Sequence, residues 1–130
     1  MTTTTTTPAA GRRLPGLLRL AITLQTVAVF AQAITAGLLL TSPAGGAAHS
    51  AGSYTLFSVT LAHLVIAVLA WRPGGGPVRP VLHAAGFFGL TLAQVALGLA
   101  HVKSVHVPLG VALFGLSLLH LVTVSPRRNP

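Results

Sequence analysis

At 130 residues the chain is one small domain, 52% hydrophobic and only 6% charged, which makes lipid its expected solvent. Without a single Asp, Glu or Cys it can build no carboxylate acid–base pair, no Ser-His-Asp triad, no carboxylate site for calcium or magnesium, no disulfide and no thiolate metal centre. Six histidines remain for ligand or proton chemistry near neutral pH, and the net charge of +8 has to be read from its placement.

Residues 1–13 include six consecutive threonines, a polar low-complexity tail expected to be disordered. A four-helix transmembrane domain is expected over residues 14–125, followed by a basic tail over 126–130. The first span, about residues 17–41, begins at Pro15-Gly16 and ends at Thr41-Ser42-Pro43, which suit a helix start and stop. Arg12-Arg13 ahead of an apolar run resembles a signal peptide, yet this run is too long for one and later segments repeat it. A retained span is therefore expected.

Ala44 to Ala48 reads as a short loop, and the second span runs over about residues 50–71, with Trp71 and Arg72 as interface anchors. Pro73 to Pro80 holds three glycines and three prolines and must be a loop. The third span covers about 81–101 and the fourth about 107–124. Each is long enough to cross the hydrocarbon layer, and continuous apolar runs of this length suit helices and not barrel strands.

Charge placement gives an orientation. Arg12, Arg13, Arg19, Arg72, Arg79, Arg127 and Arg128 all fall on one side of such a bundle, and only Lys103 on the other. By the positive-inside rule both termini are cytoplasmic, and a bacterial plasma membrane is the expected setting. The basic surplus then reflects topology and contact with lipid headgroups, not nucleic-acid binding.

The chain also repeats itself. Ala31-Gln32 is matched by Ala93-Gln94, each followed about one turn later by a glycine, Gly37 or Gly98. At an offset of 57, His49 aligns with His106, Leu56-Phe57 with Leu113-Phe114, Leu61 with Leu118, and His63-Leu64-Val65 with His120-Leu121-Val122. Two pseudo-symmetric helix hairpins are the expected architecture.

Within each hairpin two histidines lie 14 residues apart, His49 and His63 on the second helix, His106 and His120 on the fourth. Fourteen residues turn an α-helix through nearly four full turns and rise about 21 Å. Each pair therefore shares one side of its helix, one imidazole towards each end. Facing helices would present His49 opposite His106 and His63 opposite His120, the arrangement a bundle needs to hold two stacked haems by axial histidine. His63 or His120 alone also reads as a packing residue bonded to a neighbouring helix, worth about 0.6–2 kcal/mol, and His49 or His106 alone as a snorkelling or loop histidine at the interface. Pro108 fits a first turn, which would leave His106 just ahead of the fourth helix.

The remaining polar candidates are weaker. His83 and His101 read as interfacial residues, with a supporting role for either as the alternative, and His49, His101 and His106 could together hold zinc or copper near the outer surface. Gln32 and Gln94 read as interhelical hydrogen-bonding groups or as supports for a histidine N–H.

Two families resemble this pattern. The twice-repeated 14-residue histidine spacing on the second and fourth of four helices is similar to the haem-carrying half of cytochrome b. That likeness implies an outer b-type haem on His49 and His106 and an inner one on His63 and His120. Gln94-Val95-Ala96-Leu97-Gly98 followed by His106, with His49 at the corresponding earlier position, resembles one half of haem A synthase and implies one haem at the outer side. The outer-loop cysteines of that family and its acidic residue before the histidine have no counterpart here, so the likeness does not extend to haem A synthesis.

The expectation is an integral membrane protein carrying one or two b-type haems on His49, His106, His63 and His120, serving electron transfer or haem handling. Its partners would be the bilayer and redox proteins, quinone or a larger membrane complex. No catalytic motif is visible, which favours a carrier or binding protein over an enzyme. The alternative is a haem-free structural or assembly subunit whose histidines serve packing alone.

Overall fold

The computed structural model describes residues 10–124 of the chain. It is all-helical, with α1 over Ala10–Thr41, α2 over Gly45–Trp71, α3 over Arg79–Leu99 and α4 over Lys103–Thr123. All four helices are long and apolar enough to cross a membrane. The leucines and valines that line their outer faces are exposed, which suits lipid contact. The C-terminal tail expected over 126–130, and all but the last residues of the N-terminal one, lie outside the described residues.

The helices start earlier than the apolar runs suggest. Helix α1 begins at Ala10 and carries Pro15 inside its early turns. Gly45 to Ala48, read from sequence as loop, form the first turn of α2. Gly45 makes this possible, because a Cβ there would run into the Leu38 backbone. The link between α1 and α2 shrinks to Ser42, Pro43 and Ala44, and His49 sits inside α2. Helix α4 begins at Lys103, so His106 lies within it and not ahead of it; its N–H bonds the Val102 carbonyl at 3.0 Å.

Helix α3 stops at Leu99, two residues short of the expected end. Its end is a Schellman motif: Val102 N–H bonds the Leu97 carbonyl at 3.0 Å and His101 N–H the Gly98 carbonyl at 3.1 Å. His101 takes the left-handed position, φ 58°, that glycine usually fills. The loop between α2 and α3 behaves as its glycines and prolines dictate. Gly75 adopts φ 64°, and Pro80 sits in the first turn of α3, where its missing N–H costs nothing.

Around the bundle, α1 packs on α2, α2 on α3, α3 on α4 and α4 on α1. Helices α2 and α4 are thus diagonal partners whose backbones stay apart. At mid-depth each helix sends one apolar residue inward, Val29, Leu56, Phe87 and Leu113, with Ala28 and Phe114 packed against them. Leu56 lies seven residues from both His49 and His63, and Leu113 seven from both His106 and His120. Seven residues are about two turns, so this layer separates one histidine pair from the other.

Candidate functional site

Across the diagonal of the bundle the histidines meet in the expected pairs. The His49 and His106 ring centres are 6.3 Å apart, and those of His63 and His120 are 6.1 Å apart. The first pair lies towards the end carrying the α1–α2 and α3–α4 turns, the second towards the end carrying the α2–α3 loop.

His63 is 1% exposed and is held by a chain of polar groups crossing three helices. Its Nδ1 lies 2.8 Å from Gln25 Oε1. An amide oxygen can only accept, so Nδ1 carries the proton and Nε2 the lone pair. The Gln25 amide nitrogen donates to Ser117 Oγ at 3.4 Å, Ser117 Oγ is 2.7 Å from Thr26 Oγ1, and Thr26 donates to the Ile22 carbonyl at 2.8 Å. Every group in this chain is satisfied except the last atom of interest: His63 Nε2 is buried and has no hydrogen-bond partner. Burying an unpaired polar atom is costly, and a held Nδ1–H with a bare Nε2 is an arrangement suited to metal ligation.

The other pair is held in the same sense. His106 Nδ1 donates to the Gln94 carbonyl at 3.0 Å, leaving its Nε2 as the lone-pair nitrogen. His49 Nδ1 lies 3.1 Å from Thr35 Oγ1, and Thr35 donates to the Gln32 carbonyl at 3.0 Å. With its amide turned to satisfy both ends, Gln32 donates to Thr35 Oγ1 at 2.8 Å and to the His49 carbonyl at 3.2 Å, and accepts from Ser53 Oγ at 2.7 Å and Ser53 N–H at 2.9 Å. In that network the hydroxyl of Thr35 is spent as a donor, so His49 donates to it through Nδ1. Gly52 leaves room for the Gln32 amide, and a Cβ on Gly98 would come within 3.2 Å of His106 Cε1.

At the loop end, His63 and His120 open onto a cleft of about 470 Å³ that is also lined by His83, Arg19 and Arg79. Such a volume is in the range of ligand sites. Here His83 is not a detached interfacial residue: its ring centre is 4.9 Å from that of His120. His101, by contrast, is exposed in its turn, and among the described residues no three histidines group to hold a metal ion. The zinc or copper alternative is not formed.

Sequence reasoning missed Gln25 and its partners Thr26 and Ser117, and gave Gln94 a side-chain role where its backbone carbonyl does the holding. The Gln94 Oε1 is buried without a partner. Compared with known protein families, with curated proteins and with solved structures, the chain matches none.

Proposed function

We propose that the chain is a membrane cytochrome-like protein that binds b-type haem between α2 and α4, through His49 and His106 at one depth and His63 and His120 at the other. The observation that carries this reading is the spacing of the rings. A metal–nitrogen bond of about 2.0 Å and about 1.15 Å from nitrogen to ring centre put two trans imidazoles about 6.3 Å apart; the two pairs stand at 6.3 Å and 6.1 Å. Each ring can turn about its own bond to the metal, so the interplanar angles of 72° and 37° are both compatible.

The held Nδ1 atoms and the unpartnered His63 Nε2 supply what an axial ligand needs, a fixed tautomer and a lone pair with nowhere else to go. A bis-histidine haem supplies one-electron chemistry. The protein holds the two sites about 21 Å apart along the helix axis, with the apolar layer of Val29, Leu56, Phe87 and Leu113 between them. In this reading the two hairpins are related by a pseudo-two-fold axis along the membrane normal, the loop end is cytoplasmic, and electrons cross the bilayer between partners at its two faces.

Purification without added haem, followed by a pyridine haemochrome assay and a reduced-minus-oxidised spectrum, tests it. Two haems per chain with a b-type spectrum are expected, and His63→Ala or His120→Ala should remove one and leave the other. Protein isolated with no haem, and taking up none when haem is added, would sink the proposal in favour of a packing subunit.

A further inference from the structure

The cleft at the loop end holds one imidazole more than a single haem iron can take. His63, His120 and His83 all line it, and they form a graded series. His83 is exposed at the rim, His120 is half-buried and His63 is buried. The step from His83 to His120 is 4.9 Å between ring centres and the step from His120 to His63 is 6.1 Å. The inner step suits two trans ligands on one metal. The outer is too short by about 1.4 Å, given bond lengths of about 2.0 Å, so His83 and His120 do not stand as an axial pair.

The rim carries charge as well. Arg79 precedes His83 by one turn of α3, and Arg19 lines the same cleft from α1. Arg79 gives the mouth of the cleft a positive charge that favours an incoming anion. Leu18 and Ile22 give the cleft apolar wall. Cationic mouth, apolar body and a buried imidazole with an unpartnered Nε2 are together complementary to an iron porphyrin, an apolar disc with carboxylates along one edge.

We propose that His83 is the capture ligand of the site at the loop end: it takes the iron first, at the rim, and yields it to the His63–His120 pair. This rests on the haem reading above. The exchange breaks the bond from iron to the His83 ring and the bond to the solvent ligand opposite it, forms bonds to His63 and His120, and releases that solvent molecule, with no change in oxidation state. A rim ligand of this kind lowers the barrier to loading and to release alike, and leaves the loaded state unchanged.

The test is a stopped-flow measurement with full-length haem-free protein in detergent micelles and ferric protoporphyrin IX. His49→Ala is used as the background, so that only the pair at the loop end remains. Formation of the low-spin Soret band should slow by at least about tenfold in His83→Phe, a barrier change of about 1.4 kcal/mol, with the final spectrum unchanged. His83→Gly should regain speed when free imidazole is supplied, which separates loss of a ligand from damage to the fold. An unaltered rate in His83→Phe overturns the capture role, and so does a final spectrum shifted to high spin, since His83 would then be a permanent ligand. If the parent protein takes up no haem at all, the haem reading itself has failed, and that outcome is distinct from the other two.

Discussion

At the scale of single residues, the fate of His63 depends on Gln25. A buried imidazole in lipid would ordinarily bond whichever carbonyl lies nearest, and either nitrogen could be the donor. Gln25, 0% exposed and itself anchored on Ser117, removes that freedom and leaves Nε2 bare. Gln25→Leu keeps the volume and deletes the acceptor, so the His63 Nδ1–H loses its partner at a cost of about 1–3 kcal/mol. Haem affinity at the loop-end site should fall by about 10–100-fold, the usual penalty for removing a group that orients a ligand, while the His49–His106 site binds as before. Haem titration in a His49→Ala background and in a His63→Ala background separates the two. Equal affinities with and without Gln25 would show that the contact serves packing only. The residue was hard to find because it is 38 positions from its partner. The one local sign is that Gln25 and Gln32 are seven apart, two turns along the same face of α1.

At the scale of helices, hydrophobic runs and proline-glycine punctuation marked four spans, and the histidine spacing marked which residues would share a face. They also marked the ends of α1 and α2 at Thr41 and Trp71; what they could not mark were the starts of α1, α2 and α4 and the end of α3, which depend on how the chain packs at its turns. Gly45 is helical since nothing but hydrogen fits against the Leu38 backbone. The Pro108 signal misled by one turn because α4 takes its first residues from the α3–α4 turn. His101 closes that turn in a left-handed conformation that costs a non-glycine residue about 1–2 kcal/mol. His101→Gly should therefore raise the thermal midpoint with haem content unchanged; a lower midpoint would mean that the imidazole has a partner worth more than the strain. Gly52 makes the opposite case. A Cβ there strikes the Gln32 amide, so Gly52→Ala should disturb the hold on His49 and weaken the turn-end site selectively. The same titrations in single-site backgrounds read this out, and an unaltered turn-end affinity would show that the amide can move aside.

For the whole molecule, the functional reading turns on which end faces the cytoplasm. The described basic residues fall unevenly along the bundle: Arg19, Arg72 and Arg79 lie towards the loop end, with Arg72 resting on Trp71 at 4.7 Å, and Lys103 alone opens α4 at the other. Arg12, Arg13, Arg127 and Arg128 continue the bias in sequence. Short loops with excess Lys and Arg are retained inside, and on that rule the His83 cleft would face the cytoplasm and the His49–His106 pair would lie near the outer face. The absence of any native cysteine makes this directly measurable. Val78→Cys at the head of α3 and Val102→Cys in the opposite turn alter no charge, and the native valines are 41% and 38% exposed. In intact cells a membrane-impermeant maleimide should label Val102→Cys and leave Val78→Cys untouched until the membrane is opened. The reverse pattern would place the cleft outside. The capture role of His83 would then concern haem arriving from the outer face.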